Sequence, residues 1–258
     1  MTSASAKSTL TGTVVSSRLP EDVIKQRVHR IHQDVLAHSP YLRAADFMRI
    51  HPQDVEFLFR AYDERFFSGQ CQQVLAGRRI TFRLAPRMTQ SGGTTTRYTA
   101  KSGEVRFEIA IACSMLFDAF GTNDRQISVC GLDCENRLEA LQRIIEHEIV
   151  HLIEQLCWEN SDCTATRFQD IAARLFRHRA HTHQLITRRE RAAASGIRVG
   201  ARVIFTYEGR RLTGRVNRIT KRASILVEDA DGQQYVDGVR YKTYYVPIPL
   251  LEPVAEAK

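Results

Sequence analysis

Long apolar runs, a signal-peptide core and a paired cysteine framework are all missing from this chain. No stretch of its 258 residues approaches the ~18 consecutive apolar residues that a membrane-spanning helix needs, which excludes a helical channel or transporter. The first twenty residues are rich in Ser and Thr, carry only Lys7 and Arg18 as charges, and contain no apolar signal core. They are also poor in Arg for an organelle transit peptide. Residues 1–19 are therefore expected to form a disordered tail on a cytoplasmic protein. The six cysteines (Cys71, Cys113, Cys130, Cys134, Cys157 and Cys163) are scattered, which excludes a dense disulfide scaffold and points to reduced thiols. Cys130-x₃-Cys134 lacks the Cys-x₂-Cys spacing of a zinc knuckle and has no second pair at zinc-ribbon spacing.

What is present is the composition of a globular protein, 43% apolar and 26% charged, long enough for one ordinary domain and a small one. Its charge is unevenly placed. Residues 1–169 hold 20 Lys and Arg against 20 Asp and Glu, whereas residues 170–258 hold 17 against 9 and carry the whole net charge of +8. A basic C-terminal third beside a neutral body predicts a surface that faces a polyanion, nucleic acid foremost.

The chemistry-bearing motif is His147-Glu148-x-x-His151. In a helix the two histidines stack one turn apart, where both imidazoles can reach one metal ion, and Glu148 stands where it can take a proton from a metal-activated water. With nine histidines and 16 glutamates, a chain of this composition is expected to contain only about 0.02 accidental copies of the pattern. The surrounding periodicity supports a helix over about Glu135 to Leu156. Leu138, Leu141, Ile145, Ile149, Leu152 and Leu156 form a buried stripe, with His147, His151 and Glu154 on an adjacent one.

Helices are also predicted over Pro20–His38, Pro52–Phe67 and about Ala165–Arg177, with a short one at 112–120. His29, His32 and His51 read as solvated or capping residues. Alternating runs at Ile80–Leu84 and Glu104–Ile111, with a Thr-rich strand after Gly92-Gly93, predict a small antiparallel sheet. The glycine pair reads as a tight turn or bulge, and 121–134 as a loop. Ala192–Gly196 reads as a linker. Five short strands follow: Val199–Tyr207, Leu212–Ile219, Ser224–Glu228, Gln233–Val236 and Lys242–Pro247. Turns at Glu208-Gly209, Asp231-Gly232 and Asp237-Gly238 complete the pattern of a small SH3-like barrel. Arg210, Arg211, Arg215, Arg218, Lys221 and Arg222 cluster around its first hairpin, with Tyr235, Tyr241, Tyr244 and Tyr245 nearby, a mixture suited to nucleic-acid backbone and bases.

Three features in order resemble one family: the strand leading to Arg87-Met88, the glycine pair and Tyr98; the His147-Glu148-x-x-His151 helix; and the Phe168 helix followed by Thr182-His183. Over residues 58–185 the chain resembles the SprT-like metalloprotease domain, the family of the Spartan proteases that act on DNA–protein crosslinks. The resemblance implies a zincin-like peptidase with Zn²⁺ held by His147 and His151, Glu148 as general base, and a third histidine in a His-Gly-x-x-Phe-like segment. Here that segment is Cys163-Thr164-Ala165-Thr166-Arg167-Phe168, without histidine. Cys163 is the first candidate for the third ligand, with Glu154, His178, His181 and His183 as alternatives. The resemblance gives His183 a structural role rather than a ligand's. Several family members end in a zinc ribbon, whose place the basic strands take here.

The expected molecule is thus an α+β chain with a metalloprotease domain at 20–191 and a basic barrel at 197–254. Its expected function is zinc-dependent cleavage of DNA-associated proteins, with a protein substrate, DNA as partner, no membrane, and a cytoplasmic, nucleoid-associated location. The missing third histidine motivates the competing expectation, a non-proteolytic nucleic-acid-binding or adaptor protein on a degenerate protease scaffold.

Overall fold

A helix, α1 (Ser3–Ser16), occupies the segment whose composition marks it as a disordered tail. The computed structural model describes residues 3–121 and 125–254, so Met1 and Thr2 lie outside the described residues. Two features of α1 overturn the expectation. Ala6, Leu10 and Val14 recur every four residues and are buried. The hydroxyls of Thr9, Thr11 and Ser16 turn back onto the carbonyls of Ser5, Lys7 and Gly12, so these three are satisfied within the helix.

The first unit, ending at Leu185, continues with α2 (Glu21–His38), α3 (Pro52–Phe67), α4 (Gln70–Leu75), β1 (Ile80–Leu84), β2 (Gly93–Thr99), β3 (Val105–Ile111), α5 (Cys113–Asp118), β4 (Ile127–Val129), β5 (Leu132–Cys134), α6 (Arg137–Trp158), α7 (Thr166–Phe176) and β6 (His183–Gln184). His51 caps α3. Its Nδ1 accepts from Gln53 N–H while Asp54 accepts from the His51 N–H, a reciprocal box. The side chain of Asn136 opens α6 by accepting from the Glu139 N–H, and Glu159 closes it in the left-handed region, φ 66°. Helix α6 is the core. The whole leucine–isoleucine stripe is buried, and so are Ile144, Val150 and Ile153 on its other sides. A helix enclosed on every side can still present polar groups, provided each finds a partner.

The sheet beside α6 is mixed rather than antiparallel, in the order β1-β3-β2. β2 and β3 form the expected hairpin, but β1 runs parallel to β3, Ile80 opposite Phe107 through Leu84 opposite Ile111. From β1 the chain crosses to the far edge and returns through the hairpin, leaving β3 in the centre with Phe107, Ile109 and Ile111 buried.

A second small sheet, β5-β4-β6, fills part of the segment expected to be a loop; residues 122–124 of that segment lie outside the described residues. Its hairpin turns through Cys130 and Gly131, both at positive φ, as a two-residue turn of the primed type requires.

The second unit begins at Ile186 and runs α8 (Arg188–Ala194), β7 (Arg202–Tyr207), β8 (Arg210–Ile219), β9 (Ala223–Gln234), β10 (Arg240–Val246), a 3₁₀ turn at Ile248–Leu250 and β11 (Glu252–Pro253). The first three residues of the expected linker, Ala192–Ala194, therefore lie in a helix. Thr187 caps it, and Ala192 lies in the core of this unit with Ile197, Val203, Phe205, Val216 and Ile225. The expected boundaries at 191 and 197 move back to 185 and 186 for that reason. The closed barrel is also corrected, because among the described residues the strands form an open sheet, β10-β9-β8-β7-β11. Two of the five predicted strands merge into β9. Beside the adjacent Tyr241 and Arg240, its register jumps from Glu228 to Gln234, so the residues around Asp231-Gly232 bulge from the ladder and do not end the strand.

Candidate metal centre

His147 and His151 stand one turn apart on α6, and their Nε2 atoms face each other at 3.1 Å. The opposite nitrogen of His151 shows where its proton lies. Nδ1 of His151 lies 2.6 Å from Ser161 Oγ, whose own proton goes to Glu154 Oε2 at 2.6 Å, so the hydroxyl accepts from the imidazole N–H. Nδ1 of His147 lies 3.7 Å from Cys130 Sγ, whose single proton has two acceptors within reach, that nitrogen and the Arg143 carbonyl at 3.8 Å. Burial holds the Cys130 thiol far above its ordinary pKa, so it remains S–H. His151 Nε2 therefore carries a lone pair that faces His147. In the metal-free chain 3.1 Å is the length of an N–H···N hydrogen bond from His147 to His151, and once His147 carries its proton on Nδ1 the same gap suits two zinc–nitrogen bonds of about 2.0–2.1 Å.

Cys163 could supply a third donor. Its sulfur and the ligating nitrogens of His147 and His151 all lie within 4.8 Å of one another. Two imidazoles and a thiol that can ionise on a metal form a donor set that fits zinc. Burial, and then the Asp162 carboxylate, raise the pKa of the free Cys163 thiol. Phe168 of α7 packs against both rings, at 4.8 Å from His147 and 4.5 Å from His151. Burial first, then the neighbouring histidines, push His147 down to about 2, and burial also lowers His151, so both rings are neutral and ready to donate.

Glu148, 1% exposed, sits beside them. Thr95 of β2 places its hydroxyl 2.8 Å from Oε2, and Gly93 lies against Oε1. Burial pushes the carboxyl up to about 8 against the opposing effect of the Thr95 bond. The glycine pair proves to be a spacing device. A Cβ on Gly93 would come within 2.7 Å of Glu148 Oε1, and one on Gly92 within 2.3 Å of His183 Nδ1.

The other ligand candidates separate cleanly. Glu154 is fully buried and committed to Ser161, Asp162 and Arg167. His178 is committed to Glu146, which also accepts from Tyr62 and Arg143 in a buried network beneath the site. His181 lines the cleft but belongs to neither possible metal group. His183 accepts from the Gly92 N–H at 3.2 Å, so its neutral ring carries the proton on Nε2. It could join Cys130 and His147 in a second group of donors, but only by surrendering the bond that holds β2. The cleft, of about 560 Å³, is lined by Gln90, Thr94, Glu148, His151, Gln155 and Cys163, among others.

Tyr98 lies under the Arg106 guanidinium at 4.1 Å and reaches Glu108, outside the cleft. Sequence reasoning missed Thr95, Ser161 and Cys130. Only Thr95 carried a signal, its place on the strand following the glycine pair.

In the second unit, Arg211 pairs with Glu252 at 2.7 Å, and Arg215 pairs with Asp237 at 3.3 Å. Arg210, Arg218, Lys221 and Arg222 make no ion pair among the described residues. Register places Arg202, which sequence reading passed over, directly opposite Arg215. Tyr245 is 68% exposed, whereas Tyr244 packs on Phe205 and Tyr241 is buried.

Among the described residues no helix is long and apolar enough to cross a membrane. Compared with known proteins, the chain matches no family model, no curated protein and no solved structure.

Proposed function

We propose that this chain is a zinc-dependent endopeptidase of the SprT-like, zincin type, acting in the cytoplasm and at the nucleoid on proteins associated with DNA. Crosslinked DNA–protein adducts are the substrates the resemblance implies. One observation carries the reading: the Nε2 atoms of two imidazoles converge at 3.1 Å, with a thiol and a buried carboxyl beside them in an open cleft.

In this reading His147, His151 and Cys163 hold the ion. When bound, zinc lowers the pKa of a water toward ~7 and polarises a carbonyl oxygen. The chain supplies the remaining steps. A cation nearby favours the Glu148 carboxylate and brings its pKa down from about 8. The Thr95 hydroxyl fixes Oε2, leaving Oε1 to take the proton from the attacking water and return it to the departing amine. Thr94 and Thr95 on β2 line the cleft, where an extended peptide can lie along the strand. The basic second unit supplies the contacts to DNA.

The test is Glu148→Gln, which should retain the metal and abolish cleavage of a DNA-bound protein. Undiminished cleavage by that variant sinks the mechanism. The lack of a histidine in the Cys163–Phe168 segment favours a second reading, a folded adaptor that binds nucleic acid without a metal. Metal analysis of the purified chain separates the two: the enzyme carries zinc that is lost in His151→Ala, and the adaptor carries none.

A further inference from the structure

Glu154 has no exposed surface, and a buried carboxylate is costly unless every lone pair is used. Here they are used on a single segment. Oε2 accepts from Ser161 Oγ at 2.6 Å and from the Asp162 N–H at 3.4 Å, and Oε1 accepts from Arg167 Nε at 2.5 Å. Arg167 in turn reaches the Asn160 carbonyl and side chain and lies over the Trp158 ring at 4.8 Å. One carboxylate on α6 thus grips the connection to α7, and that connection carries both Ser161 and Cys163. A leucine would fill the same space at less cost. What only an acceptor can do is draw the Ser161 proton away from His151.

We propose that Glu154 and Ser161 are positioning residues that act as a relay: together they lock His151 in the tautomer with its proton on Nδ1 and hold the Cys163 sulfur beside the two imidazoles. The metal-holding purpose of the relay rests on the zinc reading above, while the tautomer does not. The direction of the hydrogen bonds is the whole device. If Glu154 became an amide that donated to Ser161, the hydroxyl proton would turn toward His151 Nδ1. The ring proton would then move to Nε2, where it blocks the metal.

The experiment uses the full chain, metal-free and labelled with ¹⁵N, and reads the His151 tautomer by long-range ¹H–¹⁵N NMR. The Nδ1–H form is expected in the wild type and in Ser161→Thr, and the Nε2–H form in Glu154→Gln. Zinc affinity, read by competition with a chromogenic chelator, should fall about 10–100-fold in Ser161→Ala and recover in Ser161→Thr. Circular dichroism confirms that each variant is folded. An Nε2–H wild type, or a Ser161→Ala chain with unchanged tautomer and affinity, overturns the relay. A wild type that shows the Nδ1–H form, loses it in Glu154→Gln and binds no zinc upholds the relay while overturning the metal-centre reading.

Discussion

Gly93 brings the backbone of β2 so close to Glu148 that a methyl group would fall 2.7 Å from its Oε1. The strand that lines the cleft and the proposed base are therefore in contact without a side chain between them. Gly93→Ala should push the Glu148 carboxyl off its Thr95 anchor while leaving both histidines in place. Peptidase activity is expected to fall about 100-fold with zinc content unchanged, which parallel assays of turnover and bound metal will read. Activity within twofold of wild type contradicts the close-packing argument.

Burial raises Glu148 to about 8 in the metal-free chain, from an ordinary 4.5. The folded state then holds a proton that the unfolded chain releases, so the contribution of this group is fully present below about pH 4.5 and is lost as pH rises toward 8. His147 and His183, lowered by burial, act in the opposite sense below their ordinary values. The difference between wild type and Glu148→Gln isolates the carboxyl. Urea midpoints of the metal-free proteins should show the variant gaining relative to wild type as pH rises from about 5 to 8. A constant difference across that range contradicts the burial of the carboxyl.

Leu10 is fully buried in α1. Leu10→Ala is expected to destabilise the first unit by about 3 kcal/mol, measured by chemical unfolding. A disordered tail would show no change.

How much of this was legible beforehand depends on where the information sits. The α6 stripe and the His147-Glu148-x-x-His151 spacing are local and periodic, and the observed helix departs from its expected ends by two residues at each. α1 was obscured because composition registers Ser and Thr as solvent-seeking, whereas here their hydroxyls bond within the helix. The Cys130-Gly131 hairpin was hidden because cysteine is an unusual residue at a left-handed turn position. β1 was expected to pair antiparallel because nothing local records that β2 crosses over to the far edge. Ser161 and Cys130 could not be found from the sequence at all. Their roles arise from one atom apiece meeting the far nitrogen of a histidine across the fold.

The nucleic-acid proposal rests on charges that have no partner of their own. Arg218, Lys221 and Arg222 are unpaired among the described residues, unlike Arg211 and Arg215. Replacing the three by alanine should weaken DNA binding at every sequence and reduce the salt slope of log Kd by about one for each phosphate that is no longer neutralised. Titration of labelled DNA at several salt concentrations measures both. An unchanged slope removes this edge of the sheet from the interface.

The most direct test of the central claim is X-ray absorption at the zinc edge on the purified full chain. One zinc per chain is expected, with two imidazole nitrogens and one sulfur bound directly to it, and the sulfur missing in Cys163→Ser. A folded chain without metal, or a zinc with no sulfur bound to it, contradicts the site formed by His147, His151 and Cys163.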